Sequence, residues 1–485
     1  MMQGSLCSWR DGAIRELGSK PLDLLVVGGG ILGAGIVRDA AMRHLRVALV
    51  EQYDFAYGTS SRSSRLLHGG LRYLAQGRVG MVREAGREKA ILARIAPHLA
   101  APLAFVFPTY RGTDWPKWQL SVGVRVYDML CGVDGAPESS SMGRDQTMAL
   151  LPGLKQEGLT GSVRYGDALT NDARLVIDTL RSAAGHSAVL LNYTKLVRAR
   201  RRGDLWVCTL QDGEDGQERE VAASTVVNAA GPWAMQLEPS AIKLRLTKGV
   251  HLVIDRARLP IPDAVVMAEG KRILFSIPYG QRVILGTTDT DYDGRIEDVR
   301  AEPEDVQYIL GVTDQTFPRA GIGLADVITT WVGLRPLIAN KDGSPSDISR
   351  KHLIVGRGDG WFDVAGGKLT TYRLIAEQTL DQVVRYLGKD ALPCRTHLEP
   401  LVSEQEAIGI SGIEPPPVEQ GVIEHFCRNE WAMHLDDVMD RRGRWSSYSS
   451  DSAHIAEKVA EMMTGIHGWT AQRKHEELAR CYGRR

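Results

Sequence analysis

Residues 24–37 read LLVVGGGILGAGIV and contain the motif that decides the fold. Gly28, Gly30 and Gly33 stand in the G-x-G-x-x-G spacing that follows a buried strand and opens a helix in dinucleotide-binding domains. In that pattern the first glycine permits the tight turn, the second lets a phosphate approach the backbone, and the third lets the helix pack on the strand. We therefore predict that a pyrophosphate lies at the N-terminus of this helix, where free N–H groups favour negative charge.

The residues after the motif complete a strand–helix–strand unit. The apolar pattern predicts strands over 24–27 and 47–51, which should be parallel, and a helix over 36–44. Glu51 ends the second strand 18 residues after Gly33, where an acidic side chain suits the hydroxyls of an adenosine ribose. Strand, glycines, helix, strand and acid in this order predict a dinucleotide site, although the pattern does not separate FAD from NAD.

Composition narrows the class of protein. The chain has 485 residues, enough for two or three domains. Lys and Arg together number 59 and so do Asp and Glu, so the charge balance favours neither a nucleic-acid-binding protein nor an acidic tail. The six cysteines form no C-x-x-C pair and no metal-ligand spacing with histidines, so we expect reduced thiols and no metal. No apolar stretch reaches the ~18 residues of a bilayer-spanning helix. The polar N-terminal segment predicts a short surface extension.

Later segments predict a second sheet followed by a helical region. Residues 81–98 predict an amphipathic helix, and three apolar runs within 249–288 predict an antiparallel sheet because they are short and rich in β-branched residues. After about residue 369 the pattern becomes helical, with breaks at 392–393 and 415–417. Residues after about 395 therefore predict a separate small helical domain.

A dense group of hydroxyl side chains follows Glu51. The segment 54–74, DFAYGTSSRSSRLLHGGLRYL, contains five of them close together, namely Thr59, Ser60, Ser61, Ser63 and Ser64. Gly69 and Gly70 follow, so the backbone there can approach a flat ligand. Helix capping is the other interpretation of such a cluster.

Eight motifs stand in an order that resembles the FAD-dependent glycerol-3-phosphate dehydrogenases, a family of the D-amino-acid-oxidase-like fold group. They are GGGILGAGIVRDAA (28–41), GTSSRSSRLLHGGLRYL (58–74), VVNAAGPW (226–233), KGVHLVID (248–255), GTTDTDY (286–292), VGLRPL (332–337), ISRKH (348–352) and AGGKLTTYR (365–373). The resemblance runs from about residue 21 to 388, with a weaker echo at 428–485. The segment 443–463 departs from the family pattern.

The resemblance implies an α/β plus α+β fold in three parts. These are a discontinuous Rossmann-type FAD-binding domain (21–100, 155–245 and 340–390), a substrate-binding domain with an antiparallel sheet (101–154 and 246–339) and a small C-terminal helical domain (395–485).

The resemblance also implies a set of residues around a non-covalent FAD. Those expected near the ADP half and the flavin are Gly28, Gly30, Ile31, Leu32, Gly33, Glu51, Gln52, Thr59, Ser60, Ser64, His68, Gly69, Gly70, Leu71, Leu196, Ala229, Gly231, Gly367, Lys368, Leu369 and Thr370. The glycine turn before Leu369 enters a helix and is expected to face the flavin pyrimidine edge. A helix N-terminus and the Lys368 ammonium would there stabilise the negative charge of reduced flavin.

Basic residues within the matched motifs predict an anionic, phosphorylated substrate. An arginine fork pairs two phosphate oxygens, so a site for glycerol 3-phosphate needs fixed guanidinium groups. The substrate-binding residues implied by the resemblance are Arg72, Tyr73, Arg335, Arg350 and Lys368. We expect at least two of the three arginines to point into one pocket.

The expected reaction removes hydride from the substrate's secondary carbinol carbon to the flavin, while the hydroxyl proton leaves to a base or to water. His68 and His251 are the candidate bases, and a purely structural role stays open for each. Arg335 is the alternative, because it can stabilise the developing alkoxide without taking the proton. Lys368 completes the catalytic set.

The resemblance implies that the electrons pass to a membrane quinone; transfer to oxygen, which would make the protein an oxidase, is the alternative. A relative acting on another phosphorylated or phosphonate alcohol, an amine or amino-acid oxidase and a non-enzymatic flavoprotein are further alternatives. We expect a cytoplasmic enzyme, and leave open whether it is soluble or peripheral on the inner face of the cell membrane and whether it forms a homodimer. The segment 115–130 carries Trp115 and Trp118 beside Lys117 and Arg125, a basic amphipathic pattern that suits anionic lipid, although it also suits a helix that covers the protein's own core.

Overall fold

The computed structural model describes residues 8–75, 77–131, 138–270, 272–339 and 352–483. The strands in chain order are β1 (Leu22–Val27), β2 (Val47–Val50), β3 (Leu66–Leu67), β4 (Ala101–Tyr110), β5 (Ser140–Met142), β6 (Leu159–Leu169), β7 (Val189–Leu191), β8 (Thr194–Arg202), β9 (Leu205–Asp212), β10 (Glu218–Asn228), β11 (Leu244–Asp255), β12 (Ala264–Glu269), β13 (Arg272–Tyr279), β14 (Arg282–Gly286), β15 (Thr290–Asp291), β16 (Val327–Ile338), β17 (His352–Gly356) and β18 (Trp361–Gly366). The helices are α1 (Ser8–Ser19), α2 (Ile31–Met42), α3 (Leu71–Ala75), α4 (Val79–Ile95), α5 (Lys117–Cys131), α6 (Arg144–Leu150), α7 (Asp172–Gly185), α8 (Pro303–Thr316), α9 (Tyr372–Leu387), α10 (Glu404–Ala407), α11 (Gln420–Asn429), α12 (Trp445–Tyr448), α13 (Ser452–His467) and α14 (Ala471–Gly483).

The first sheet contains the predicted strand–helix–strand unit. Its main path runs β17-β18-β10-β1-β2-β7, and β8 and β9 extend it as an antiparallel ribbon on β10. As predicted, β1 and β2 are parallel. Alternate residues of β1 face opposite sides of the sheet. Leu24 and Val26 pack into a core cluster with α2, α7 and α9, whereas Leu25 and Val27 pack into a second cluster with Trp206 of β9. Burial on both faces explains why β1 is apolar from Leu24 to Val27.

The second sheet is mainly antiparallel, as the apolar runs predicted. Its order is β15-β11-β14-β13-β12-β4-β6-β3, with β16 on the outer side of β11 and β5 on β6. The strand β11 pairs antiparallel with both β14 and β16. Residues 159–169, which the predicted domain division assigned to the FAD-binding part, form β6 of this sheet. The domain boundaries themselves stay a prediction.

Two local expectations are corrected by the structure. The helix predicted over 36–44 is α2, which begins at Ile31 because Gly30 already takes the extended N-cap conformation. The prediction of an N-terminal surface extension is wrong for residues 8–19, which form the helix α1 against the first sheet, and its remainder, residues 1–7, lies outside the described residues. Arg10 of this helix is buried, donates to the Asn192 carbonyl oxygen at 2.7 Å and pairs with Asp212 at 2.9 Å.

The C-terminal helices α11 to α14 pack around a core of their own, which includes Phe426 and Trp445. None of the described helices is long and apolar enough to cross a membrane.

Candidate active site

One cavity of about 600 Å³ is lined by both the glycine loop and the basic motifs. Its lining comes from the ends of β1 and β2, the segment 58–68, the start of β8, the loop after β10, the strands β11 and β16, and the turn after β18. A cavity of roughly 300–1,000 Å³ is usual for a cofactor or substrate site. The chain thus brings residues that are far apart in sequence to one concave site.

The glycine loop is shaped by contacts that exclude a side chain. Gly28 has φ +111°, and a Cβ there would lie 2.5 Å from the Ala229 carbonyl oxygen. A Cβ on Gly33 would lie 1.8 Å from the Gly28 carbonyl oxygen, so α2 packs directly on the loop. The Ile31 N–H donates to Ser60 Oγ at 3.0 Å, which ties the hydroxyl cluster to the start of α2. Capping and cavity lining therefore coexist in this cluster, since Ser60 does both.

Glu51 lies at the cavity wall after β2. One carboxylate oxygen accepts from the Gly29 N–H at 2.7 Å and the other accepts from the Tyr53 N–H at 2.9 Å. Burial raises the pKa of Glu51 to about 7, and these two hydrogen bonds offset only part of that effect. The carboxylate is thus poised to change its charge near neutral pH.

Most residues expected around the dinucleotide line this cavity. They are Gly28, Gly30, Ile31, Leu32, Glu51, Gln52, Thr59, Ser60, Ser64, His68, Leu196, Ala229, Gly231, Gly367, Lys368, Leu369 and Thr370. Gly33, Gly69, Gly70 and Leu71 are outside its lining. Gly33 serves the packing of α2, and the Gly69 N–H donates to the Tyr127 hydroxyl at 2.7 Å. The roles of all these residues toward a cofactor stay a prediction.

Arg335 also lines the cavity and is held by three acceptors. Its Nη2 donates to Thr287 Oγ1 at 3.1 Å and to the Thr288 carbonyl oxygen at 3.2 Å, and its Nη1 pairs with Asp289 at 3.2 Å. A Cβ on Gly249 would lie 2.3 Å from Nη2. The guanidinium therefore packs against the backbone of β11 at Gly249, where any side chain would collide with it.

The other expected substrate residues are only partly described. Lys368 lines the cavity, where its Nζ is 3.4 Å from the Gly69 carbonyl oxygen and 4.0 Å from the centroid of the Tyr73 ring. Tyr73 is buried beneath Lys368 and does not line the cavity. The Arg72 side chain and Arg350 lie outside the described residues, so the expectation that two of the three arginines share a pocket stays a prediction.

Both candidate bases line the cavity. His251 is 2 % exposed, and its Nε2 is 2.8 Å from Ser64 Oγ. Burial, together with the positive charges of Arg335 and Arg65, holds the pKa of His251 well below its ordinary value. His251 is therefore neutral at physiological pH. His68 is placed through its backbone, whose N–H donates to Thr370 Oγ1 at 3.1 Å.

Sequence reasoning missed several lining residues. Lys195 and Arg198 of β8 and Arg62 add positive charge to the cavity, and Gly249 leaves room for Arg335. A glycine inside the apolar run of β11 is a signal that could have indicated this close approach. Lysine and arginine on an exposed strand carry no such signal.

Comparisons with known proteins agree on one family. Residues 23–373 match the family model described as FAD dependent oxidoreductase. The chain is 34% identical to "Glycerol-3-phosphate dehydrogenase 2" of Mycobacterium tuberculosis (strain H37Rv), over 97% of this chain and 89% of the relative. It is 39% identical to "Aerobic glycerol-3-phosphate dehydrogenase" of Staphylococcus aureus (strain USA300), over 80% of this chain and 72% of the relative. The X-ray structure of the glycerol-3-phosphate dehydrogenase from Bacillus halodurans complexed with FAD superposes with a TM-score of 0.79 at 29% identity, covering 99% of this chain and 97% of that one.

The residues that line this cavity fit a bound FAD. The helix α2 presents its N-terminus to the cavity, the loop before it has no room for side chains, and Glu51 offers a carboxylate at the wall. These are the features that a pyrophosphate and an adenosine ribose require.

Proposed function

This chain belongs to the FAD-dependent oxidoreductases and within them to the glycerol-3-phosphate dehydrogenases, and on that basis we propose that it oxidises sn-glycerol 3-phosphate to dihydroxyacetone phosphate. The observation that carries the proposal is one cavity that is lined both by the glycine loop and by Arg335, Lys368 and His251. Among the described residues, five lysines and arginines line it against two acidic residues, which favours an anionic substrate.

The residues divide the work of the reaction among them. FAD, when bound, supplies the acceptor for the hydride. Arg335 and Lys368 bind the anionic substrate and stabilise negative charge as it develops on the substrate oxygen. The Arg335 guanidinium is already held by Thr287, Thr288 and Asp289, so little reorganisation is needed when the substrate arrives.

We assign the proton acceptor to His251. A histidine that acts as a general base must be deprotonated before the reaction, and the low pKa of His251 satisfies that requirement over the physiological range. Arg335 keeps the imidazole deprotonated and also stabilises the substrate oxygen, while its charge lowers the basicity of the imidazole. His68 is the second candidate, because it lines the same cavity.

Anaerobic mixing of the FAD-loaded protein with glycerol 3-phosphate tests the function. The expected result is loss of the oxidised-flavin absorbance, with no loss when glycerol or an amino acid replaces the phosphorylated alcohol. Reduction by an amino acid alone would instead indicate an oxidase of amines, and reduction by no alcohol would leave only a flavin-binding role.

For the electron acceptor we propose a quinone. The support is the apolar outer face of α5, where Trp118 is 69% exposed and Met129 is 85% exposed, with Val122 between them. These positions recur at helical spacing and form one stripe. Lys117 donates to the Met142 carbonyl oxygen at 2.6 Å, so the exposed Arg125 is the basic residue of this helix available to lipid. Peroxide release in aerobic turnover would favour oxygen instead.

Membrane contact through this face gives a direct prediction. We expect Trp118→Asp and Met129→Asp each to lower the partition of the protein onto anionic liposomes by about tenfold or more, because each replaces an exposed apolar side chain, which the lipid would bury, with a charged one. Sedimentation with liposomes at low salt measures the effect. Ile408→Asp is the matched control, since Ile408 is 71% exposed on a different part of the molecule. Equal partition of all three variants would contradict the proposed contact.

The raised pKa of Glu51 predicts how FAD affinity depends on pH. Ribose hydroxyls donate hydrogen bonds, so FAD prefers the ionised carboxylate, which is depleted in the free protein below pH about 7. The Kd for FAD should therefore rise as the pH falls below 7, approaching roughly tenfold per pH unit. Fluorescence titration of the apoprotein between pH 6 and 8 measures this.

Two variants separate Glu51 from other sources of pH dependence. Glu51→Gln should give weaker binding with a flat profile, because the amide does not titrate. Glu238→Gln, at the other acidic residue of the cavity lining, should keep the wild-type slope. A sloping profile in Glu51→Gln would show that another group titrates.

A further inference from the structure

A column of four stacked side chains ends at His251. The imidazole and the Trp331 ring have centroids 5.2 Å apart and planes 20° apart. The Arg65 guanidinium carbon lies 4.8 Å from the centroid of the Trp331 ring and 4.5 Å from that of Tyr279. The order of the stacked groups is thus the Tyr279 ring, the Arg65 guanidinium, the Trp331 ring and the His251 imidazole.

The strand register places the imidazole within this column. His251 of β11 pairs with Trp331 of β16 on one side and with Gly286 of β14 on the other. A Cβ on Gly286 would lie 2.7 Å from the imidazole Cδ2, so the glycine makes room for the ring. Ser64 contacts Nε2 at 2.8 Å. The imidazole is therefore confined between the Trp331 ring and the backbone of β14 at Gly286, and its Nε2 contacts the Ser64 hydroxyl.

The far end of the column is held by the hydroxyl segment and by the C-terminal helices. Trp331 Nε1 donates to the Ser63 carbonyl oxygen at 3.3 Å. Arg65 Nη2 donates to Ser447 Oγ at 3.0 Å. Ser447 lies in α12, within the segment that departs from the family pattern. The orientation of the indole thus depends on the hydroxyl segment and, through Arg65, on a helix whose residues are outside the described lining of the cavity.

Arg65 is a buried charge that pairs with no carboxylate of the described residues. Its side chain is fully buried, and no carboxylate of the described residues lies within ion-pair distance. Burial of an unpaired guanidinium costs stability, which the two aromatic faces only partly offset. Such a group lowers the stability of the fold, and its position one indole away from a candidate base indicates that it serves that base.

We propose that Trp331 and Arg65 are positioning residues that hold the His251 imidazole at the cavity wall as the acceptor of the substrate's hydroxyl proton. The inference rests on the proposed function. In the step concerned, the O–H bond breaks and its proton passes to the imidazole, while the carbon-bound hydrogen leaves with its electron pair for the flavin and a ketone remains. The groups that act on His251 by charge are Arg335 and Arg65, and His68 and Lys368 line the same cavity.

Substitutions in the column test the proposal in the FAD-loaded full chain. Anaerobic stopped-flow mixing with glycerol 3-phosphate gives the limiting rate of flavin reduction and the half-saturating concentration. Trp331→Leu should lower the limiting rate roughly 10- to 100-fold, with the half-saturating concentration within about twofold, because proton transfer loses its oriented acceptor. Trp331→Phe keeps a stacking ring and should recover most of the rate.

The charge of Arg65 is tested through the pH profile. The rate of flavin reduction should fall at low pH, where His251 becomes protonated. Removing the charge in Arg65→Met should raise the pH of this fall by roughly one unit, as expected for a charge separated from His251 by one indole at an effective dielectric constant near 20. Arg65→Lys keeps the charge and should keep the wild-type pH profile.

Trp469→Leu is the matched control for Trp331→Leu, since Trp469 also stacks on a histidine, His467 in the C-terminal helices, with ring centroids 5.4 Å apart.

Three outcomes would overturn the inference. One is a wild-type limiting rate in Trp331→Leu with full FAD content. Another is a fall in rate that merely parallels FAD loss in every variant, which would indicate a structural role. The third is an Arg65→Met profile that coincides with that of the wild type. A wild-type flavin that glycerol 3-phosphate does not reduce would overturn the proposed function, and this inference with it.

Discussion

Arg335→Lys is expected to lower the rate of flavin reduction by glycerol 3-phosphate about 100- to 1,000-fold, the usual effect of removing a preorganised donor from a reacting oxygen. A lysine ammonium has no planar fork, so it cannot reproduce the hydrogen bonds to Thr287, Thr288 and Asp289 that orient the guanidinium. Anaerobic stopped-flow absorbance of the FAD-loaded variant measures the rate.

Gly249→Ala tests the same interaction without touching the charge. The new methyl group would lie 2.3 Å from Arg335 Nη2, so the guanidinium must move and the rate should fall in the same direction. Gly311→Ala is the control, because a Cβ there has no neighbour within 4 Å. A Gly249→Ala variant as fast as Gly311→Ala would show that the position of Arg335 is not critical.

Asp54→Asn is expected to lower the free energy of unfolding by about 3–5 kcal/mol, the usual cost of leaving a buried charge unpaired. Asp54 is fully buried and forms ion pairs with Arg441 and Arg442. Burial alone would raise the pKa of Asp54, yet the two guanidinium groups hold it below its ordinary value. Asparagine keeps one neutral acceptor oxygen but no charge, so among the described residues Arg442 loses its carboxylate partner and keeps the carbonyl oxygens of Glu430 and Asp437.

The effect should extend to the cofactor site and should depend on pH. Asp54 lies three residues after Glu51, and loosening it should also lower the FAD content of purified protein. Because the folded-state pKa is depressed, the contribution of Asp54 is present above its unfolded-state pKa and is lost as the pH falls through the folded-state pKa. Chemical denaturation at pH 7 and at lower pH, with FAD content measured in parallel, gives both quantities.

An exposed ion pair supplies the comparison. Asp291 pairs with Arg245 near the surface, and Asp291→Asn should leave the unfolding midpoint unchanged because such pairs are screened by water. If Asp54→Asn also left the unfolding midpoint unchanged, the C-terminal region would not stabilise the segment that carries Glu51.

The contacts of Asp54 show that the C-terminal region supports the cavity wall, although the two are far apart in sequence. Arg441, Arg442 and Arg444 all reach the segment 54–65, the last through the Ser61 carbonyl oxygen at 2.8 Å. Ser447 reaches Arg65 in the same segment. The C-terminal region therefore stabilises the hydroxyl segment from outside, although it contributes none of the described lining of the cavity.

The amino-acid sequence alone determined the nucleotide half of this protein. The glycine loop, α2, β2 and Glu51 lie within 30 residues, and Glu51 contacts Gly29 only 22 positions away. Strand and helix periods and glycine spacing encode such short-range geometry directly, because each residue type restricts its own backbone and its near neighbours. The motif order added the family, and with it the set of basic residues.

Only the tertiary structure decided what those residues do to one another. His251 is neutral because it is buried and because Arg335 and Arg65 lower its pKa. The position of Arg335 depends on the register in which β16 pairs with β11. Asp54 meets Arg441 across 387 positions. Desolvation and pairing of charge depend on which side chains packing brings together, and residue type carries no record of a partner hundreds of positions away.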